Sequence, residues 1–437
     1  MTGPQIAQVL VSLAVLIGAA HVVGWGAVRL RQPRFVGEIL AGVLLGPFVL
    51  GRVAPSVGSA LLGRSGDPTS LVLEFASWLG LLLLMFVSGA AVRGVLAPEQ
   101  RRATVWILSL GTAVPFAIAL GVGGVLPLDD LQGPRGGEAA LLVVIATAAA
   151  VTSIPVISRI FFDLKILHTR FASLILGTAM LEDVALFGAL AVATALARGD
   201  DGGLAVELAT HIPVTVAYLV IGLLVAPRLL DRVHDFCGDT LARRVRPAYA
   251  MVLLFGYVGV GGLLEVNVVF GSFLAGFGLV GGFGGRHRDR FAGALDSVSR
   301  IGFATFIPVY FALVGARLDL GVGFSLPVLL AFLVGSSLLR ISFVTAASRL
   351  AAISPRDAVD VGIAMNARGG PGIVLATVAF EAGIIAPSLF SALVITAIAT
   401  SQVAGWWLGR AIRDRGELLG EPVGMGNPGS PKSSSST

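Results

Sequence analysis

The chain has 437 residues, of which 55% are hydrophobic and only 13% are charged, whereas an ordinary soluble domain is roughly 25% charged. Its single cysteine, Cys237, excludes an intrachain disulfide framework. The net charge of +5 comes from arginines dispersed between apolar segments, a distribution that membrane topology explains better than nucleic-acid binding. Composition therefore predicts an all-α polytopic membrane protein that lies in the lipid bilayer and binds no nucleic acid.

Apolar runs of about 20 residues follow one another along the chain, each long enough to cross a hydrocarbon core of about 30 Å as a helix. Gly, Pro and charged residues divide them into 13 predicted transmembrane helices. The predicted spans are 6–28, 35–51, 70–92, 103–125, 138–160, 171–197, 210–230, 247–265, 267–284, 299–316, 325–348, 358–380 and 387–409. Residues 1–410 thus form the transmembrane domain, and the Gly, Ser and Pro-rich tail 411–437 is predicted to be disordered.

The basic residues predict the orientation. Alternate loops carry 24 of the 31 Lys and Arg residues, and the loops between them carry five. By the positive-inside rule, the N-terminus is predicted to lie outside and the C-terminus in the cytoplasm of a cell membrane. The two remaining basic residues, Arg340 and Arg368, fall inside predicted spans.

Two adjacent carboxylates, Glu182 and Asp183, also lie near the middle of a span. Charge at that depth costs roughly 2.5 to 3.5 kcal/mol per residue, so it persists where it is paired or lines a wet cavity. Adjacent helix residues point about 100° apart, so one carboxylate can pair with Arg340 while the other faces a cavity. The alternative is that one of them simply locks the bundle through Arg340.

Two spans are predicted to be broken. The fifth contains "TSIP" at 152–155, where proline removes a backbone donor, and the twelfth contains "NARGGPG" at 366–372. A simple kink is an equal alternative for Pro155 alone, whereas the second run favours an unwound segment. One break in each half is typical of inverted-repeat transporters. Spans 1–6 and 8–13 would be two inverted six-helix repeats, with span 7 as the connector.

Six stretches in order along the chain resemble the bacterial cation:proton antiporter superfamily, particularly its second family. They are "QPRFVGEILAGVLLGP" (32–47), "LGLLLLMFVSGAAV" (79–92), "TSIPVISRIFFDLKIL" (152–167), "FGSFLAGFGL" (270–279), "IPVYFALVGARLDL" (307–320) and "NARGGPGIVLA" (366–376). The resemblance implies the Na+/H+ antiporter fold with two crossed broken helices. It also implies a homodimeric secondary transporter, not an enzyme and without a cofactor, that exchanges H+ for Na+ or K+, with Li+ a third candidate.

The resemblance also implies site residues. Asp183 falls on the superfamily's ion-binding aspartate, where H+ and a monovalent cation would compete, and Glu182, at the preceding position, is a second implied ion- and proton-binding residue. The remaining implied residues are Thr152 and Ser153 at the ion site, Arg340 as core charge partner, and Pro155, Asn366, Arg368, Gly369 and Pro371 at the crossing of the broken helices. Glu38 matches a Gly-Glu motif, and a capping role there is as well supported as a transport role.

The charge set departs from the family patterns. Asp-Asp with Lys is associated with electrogenic exchange and Asn-Asp with Arg with electroneutral exchange, whereas this chain combines Glu-Asp with Arg. Because arginine keeps its proton, we expect electroneutral exchange through Asp183. The alternatives on the same scaffold are a potassium-efflux protein and an organic solute or drug exporter, for which Arg368 would be the attraction.

Overall fold

The computed structural model of the chain describes residues 1–30, 32–64, 66–91, 100–121, 128–166, 169–198, 213–214, 217–218, 220–230, 245–264, 266, 268–281, 287–318 and 324–422. Within these residues the regular secondary structure is helical, apart from one short hairpin, Glu417–Leu418 with Glu421–Pro422, and an isolated bridge between Gln132 and Ile385. Side chains of some helical residues, among them Asp183, lie outside the described part.

The first half of the chain holds the helices α1 to α10. They are α1 (Gly3–Arg29), α2 (Arg34–Leu45), α3 (Leu50–Val53), α4 (Pro55–Leu62), α5 (Pro68–Ala91), α6 (Arg101–Trp106), α7 (Ala113–Gly121), α8 (Glu138–Ala150), α9 (Ile154–Asp163) and α10 (Arg170–Arg198). A π-turn, Ile107–Thr112, joins α6 to α7, and a second covers Ile221–Val225.

The second half holds α11 to α18. They are α11 (Arg246–Leu263), α12 (Val268–Leu279), α13 (Arg288–Ala304), α14 (Phe306–Ala316), α15 (Leu326–Leu350), α16 (Pro355–Met365), α17 (Gly369–Glu381) and α18 (Pro387–Arg415). Among the described residues, nine helical segments are long and apolar enough to cross a membrane. The chain is therefore an all-helical polytopic membrane protein. Most of the predicted seventh span, 210–230, lies outside the described residues.

Several predicted spans consist of two helices each. The fifth is α8 and α9, and the twelfth is α16 and α17. The tenth, predicted at 299–316, is longer than expected because α13 begins at Arg288 and meets α14 at Thr305. Helix breaks at these depths require polar partners for the freed backbone groups, and the partners at the fifth and twelfth spans are described below.

The helices pack in two groups. The first helix group is α1, α2, α5 and α11–α14, and the second helix group is α6–α10 and α15–α18. Helix pairs with extensive packing fall within one group or the other throughout the described residues: α12 packs on α5 and α14 on α2 in the first, and α15 packs on α16 and α10 on α8 in the second. Predicted spans 1–3 and 8–10 thus separate from spans 4–6 and 11–13.

Two polar contacts join α14 of the first helix group to α17 of the second. Arg317, directly after α14, forms an ion pair with Glu381, the last residue of α17. The hydroxyl oxygens of Tyr310 and Thr377 lie 3.4 Å apart. Both contacts lie between the same two helices, so α14 and α17 link the two groups by charge and by hydrogen bonding.

The C-terminal end of α18 is ordered beyond the predicted start of the tail at residue 411. Arg415 Nη2 donates to Asp360 of α16, and Trp407 Nε1 donates to the other oxygen of the same carboxylate at 2.9 Å. In the hairpin, Leu418 is fully buried, and the Leu419 amide donates to Asp357 at 3.2 Å. Burial of Leu418 and these ionic contacts fix a segment that its composition predicts to be disordered; residues 423–437 lie outside the described chain.

Candidate functional site

The fifth span is interrupted by an extended stretch. Residues 151–153 between α8 and α9 are non-helical and buried. Pro155 lies in the first turn of α9, directly after the extended stretch. A proline is tolerated there because the first amides of a helix have no intrahelical acceptor. The Ser153 hydroxyl accepts from the Val156 amide at 3.3 Å and so caps α9.

The twelfth span is interrupted at residues 366–368. The expected unwound segment is confined to these three residues, because α17 begins at Gly369 and includes Pro371 in its first turn. Two hydroxyls of α18 accept from amides at the start of α17 that have no acceptor within the helix. Thr400 accepts from Arg368 N at 3.4 Å, and Ser401 accepts from Gly369 N at 3.2 Å. The α17 N-terminus is therefore capped by protein groups.

Gly369 is needed for conformation and for space. Its φ of 30° lies in the left-handed region, which residues with a Cβ rarely adopt. A Cβ at this position would lie 2.8 Å from Ser153 Oγ and 2.7 Å from Val156 Cβ. Glycine thus lets α17 begin directly against α9.

The two breaks contact each other. The Ser153 amide donates to Ala367 O at 2.7 Å, and the Thr152 hydroxyl donates to Met365 O at 2.6 Å. Each interrupted segment thus supplies partners for polar groups that the other leaves free, which buried backbone requires. The structure brings together Thr152, Ser153 and the residues before α17.

A buried ion pair lies beside this contact. Arg340 Nη2 of α15 is 2.6 Å from Glu182 Oε1 of α10, and both side chains are fully buried. Of the two adjacent carboxylates, Glu182 is thus the one that pairs with Arg340 within the described residues. Nη2 of the same guanidinium donates to Thr152 Oγ1 at 2.9 Å, so Arg340 ties the carboxylate to the break in the fifth span.

Two further contacts of Arg340 involve residues that sequence reasoning missed. Its Nη1 donates to Gly111 O at 2.5 Å and to Thr112 Oγ1 at 3.0 Å. The Thr112 hydroxyl in turn donates to Glu182 Oε1. The available signal was Pro115, four residues after Gly111, since a proline within a span leaves one carbonyl without its regular donor.

Arg368 lies in the second break and is 2% exposed. Its guanidinium donates to Ser336 Oγ at 2.7 Å, to Asn366 Oδ1 at 3.2 Å and to Ala149 O at 3.5 Å, and it lies 5.4 Å from the centre of the Phe332 ring. Ala149 is one residue before the end of α8, where the helix dipole favours a cation. Within the described chain, Arg368 has no carboxylate partner.

The other predicted site residues lie elsewhere or are not described. Asp183 follows Glu182 in α10, and its side chain lies outside the described part of the structure. Glu38 is buried in α2 of the first helix group and pairs with Arg34 at 3.2 Å. The structure therefore does not bring Glu38 to the Glu182–Arg340 pair, although it does bury that carboxylate.

The helix groups, the paired breaks and a buried intramembrane ion pair define a polytopic transporter-like membrane protein. The structure is similar to that of the sodium proton antiporter MjNhaP1 from Methanocaldococcus jannaschii, with a TM-score of 0.64 and 17% identity over 95% of this chain and 100% of that one. The sequence model of the family described as sodium/hydrogen exchanger, transmembrane, matches residues 14–413. The chain belongs to this family.

Curated relatives are 24 to 26% identical to the chain over the aligned residues. The Na(+)/H(+) antiporter NhaS4 of Synechocystis is 25% identical over 90% of this chain and 95% of its own length. The Na(+)/H(+)-K(+) antiporter GerN of Bacillus cereus is 24% identical over 90% of this chain and 93% of its own length. Cation/H(+) antiporter 18 of Arabidopsis thaliana is 26% identical over 90% of this chain, which spans 48% of the plant protein.

Proposed function

We propose that the chain is a monovalent cation:proton antiporter that carries Na+ or K+ in one direction and H+ in the other. The observation that supports this most directly is the Glu182–Arg340 pair, which is buried at the contact between the two broken helices. Glu182 directly precedes Asp183 in the sequence. The names of its relatives, which include Na(+)/H(+) antiporters and a yeast K(+)/H(+) antiporter, support the same activity.

In the proposed architecture, 13 transmembrane helices form two inverted six-helix repeats, spans 1–6 and 8–13, connected by span 7. The division into helix groups favours this arrangement, because each group takes three consecutive spans from each half. The second helix group would be the mobile core that carries the crossed broken helices. The first would be the dimerisation domain of a homodimer in the cell membrane, with the N-terminus outside and the C-terminus in the cytoplasm.

Asp183 is the proposed exchanging residue. A carboxylate within a membrane is stabilised when a proton or a cation neutralises it, so the two ligands would compete for Asp183. Thr152 and the carbonyls near Ser153 lie at the break beside Glu182 and would offer oxygen ligands to a hard cation. Binding of either ligand removes the site's net charge and permits alternating access across the apolar barrier.

Arg340 determines the proposed stoichiometry. Its guanidinium stays protonated and compensates Glu182, so one carboxylate charge, that of Asp183, changes during the cycle. We therefore infer exchange of one proton for one cation without net charge movement. A second function on the same scaffold, export of organic anions, has less support, because both Nη atoms of Arg368 and the Arg368 and Gly369 amides already donate to protein oxygens.

The test is a transport assay in everted membrane vesicles that carry a dye sensitive to the pH gradient. Na+, K+ and Li+ are added separately, and a potential-sensitive dye is read in parallel. We expect dye recovery with at least one cation, no build-up of potential, and loss of the response in Asp183→Asn with its melting temperature unchanged. A flat response to all three cations would contradict antiport and leave an organic solute exporter, and a generated potential would contradict electroneutrality.

The matched control is Asp414→Asn. Asp414 lies on α18 in an exposed pair with Arg410, with side chains 60% and 62% exposed, so its neutralisation should leave the dye response intact. An Asp183→Asn variant that still transports would refute the assignment of the exchanging residue.

A further inference from the structure

The fourth span is irregular where it passes the Glu182–Arg340 pair. The π-turn Ile107–Thr112 replaces regular α-helix between α6 and α7, and such turns frequently lie at functional sites. In a regular helix the amide four residues later would donate to Gly111 O, but residue 115 is proline and has no N–H. Arg340 Nη1 donates to that carbonyl at 2.5 Å.

The π-turn holds one side of the Arg340 guanidinium. Nη1 is taken by Gly111 O and Thr112 Oγ1, which leaves Nη2 to contact Glu182 Oε1 at 2.6 Å. An arginine free to choose its geometry pairs with a carboxylate through two parallel hydrogen bonds. Here the guanidinium is held by the fourth span and contacts one carboxylate oxygen.

The second carboxylate oxygen of Glu182 is left free of these contacts. The Thr112 hydroxyl and Arg340 both donate to Oε1, whereas Oε2 is buried and has no hydrogen-bond partner within the part of the chain that the structure describes. A buried carboxylate oxygen without a donor is costly, so Oε2, which has no donor among the described residues, is available to a ligand.

We propose that Thr112, presented by the π-turn, is a positioning residue that keeps Arg340 on Oε1 and reserves Glu182 Oε2 as an oxygen ligand for the transported monovalent cation. This rests on the proposed function, in which the neighbouring Asp183 binds that cation. Glu182 then has two simultaneous roles: one oxygen compensates Arg340, and the other raises the affinity of the site for a hard cation. Loss of the Thr112 hydroxyl removes one donor from Oε1 and one of the two acceptors of Nη1. Nη1 then keeps Gly111 O alone, and its second N–H can turn toward Oε2, which withdraws that ligand.

The close approach of α15 supports this geometry. A Cβ on Gly111 would lie 2.9 Å from Val344 Cγ2 and 3.2 Å from Val344 Cα. Only a residue without a side chain therefore allows α15 to pack against the π-turn at this distance. The glycine brings Arg340, one turn away from Val344, within reach of both Gly111 O and Thr112.

The test compares Thr112→Val with Thr112→Ser in reconstituted vesicles. Valine keeps the shape of threonine and removes the hydroxyl, and serine restores it. We expect the cation KM to rise about tenfold in Thr112→Val, the effect of losing one charge-assisted contact, with a small change in maximal rate. Thr112→Ser should stay within about twofold of the parent protein.

Thr178→Val is the matched control. Thr178 is four residues before Glu182 on α10, is fully buried, and its hydroxyl lies 3.3 Å from Thr104 of α6. Thr178→Val therefore removes a buried hydroxyl between the same two spans without changing a contact of Arg340. A lower melting temperature in both valine variants with a raised cation KM in Thr112→Val alone supports the positioning role. An unchanged KM in Thr112→Val overturns it.

A second variant, Pro115→Ala, approaches the same group through the backbone. Alanine supplies an N–H that competes for Gly111 O, so Nη1 is released and the cation KM should rise as in Thr112→Val. If Thr112→Val fails to fold, this variant decides between a raised and an unchanged KM. Asp183→Asn is made separately in the otherwise unchanged protein. Transport that persists in Asp183→Asn refutes the ion site, whereas an unchanged cation KM in Thr112→Val refutes the positioning role, so the two failures are distinguishable.

Discussion

The amide of Ser153 donates to the carbonyl of Ala367 at 2.7 Å, and this hydrogen bond joins two helix breaks that lie in opposite halves of the chain. Because neither break is covered by its own helix, each depends on the other for a backbone partner. The breaks therefore form one structural unit, and the residues around them are the most sensitive positions in the second helix group.

Gly369→Ala should destabilise this unit. Alanine at a φ of 30° is strained and its Cβ would collide with Val156, which together should cost about 2 kcal/mol or more. Thermal unfolding of the detergent-purified protein measures the loss. Gly370→Ala is the control, because a Cβ at that position meets no atom within 4 Å; equal melting temperatures for the two variants would contradict the strained conformation.

The main effect of Arg340→Met should be a lower free energy of unfolding, not a specific change in transport. The variant leaves Glu182 buried without its cation, a change that typically costs about 3 to 5 kcal/mol. We expect little folded protein and a lower melting temperature. Adding Glu182→Leu should recover part of the stability, because an apolar pair removes the stranded charge. If Arg340→Met alone were as stable as the parent protein, the pair would not contribute this stability.

Arg317→Ala should change how readily the two helix groups separate. The ion pair with Glu381 is partly buried, with side chains 29% and 21% exposed, so its removal should weaken the contact by about 1 kcal/mol and shift a conformational equilibrium by about fivefold. In a Cys237→Ser background, the labelling rate of Thr377→Cys by an impermeant maleimide reports separation of α14 and α17.

The control for this change is Arg300→Ala. Arg300 pairs with Asp296 on the surface of α13, with side chains 79% and 55% exposed, and the pair lies within one helix group. Its loss should leave the labelling rate unchanged. Faster labelling in both variants would indicate general loosening instead of a specific contact between α14 and α17.

Asp360→Asn should loosen α16 from the end of α18. The carboxylate accepts from Trp407 and Arg415 while 2% exposed, so we expect a loss of about 1 to 3 kcal/mol. Limited proteolysis after residue 415 should become faster. In Asp414→Asn, which alters an exposed pair on the same helix, the cleavage rate should stay at the parent level; a parallel increase there would assign the effect to surface charge.

The spans that the described residues contain could be located from the sequence, because apolar length and charged ends are local signals. The breaks near Pro155 and Gly369 could also be predicted, because proline and glycine runs inside an apolar span are local signals too. The exact chain course at each break was not, since Thr400 and Ser401 cap α17 from another span and allow its Gly-Pro run to be helical. Thr112 was missed because its role depends on a side chain in α15 and another in α10, and no local pattern reports that proximity.

The ordered end of α18 has a practical consequence. Leu418 is buried and Leu419 is tied to Asp357, so the last described residues are anchored on α16, whose other end supplies Met365 O to Thr152. A reporter or affinity tag joined directly after Pro422 would exert force on α16, the short helix that lies beside the ion pair. Fusion proteins for transport studies are better joined through a long linker, since a rigid junction would pull on the half-helix that the site depends on.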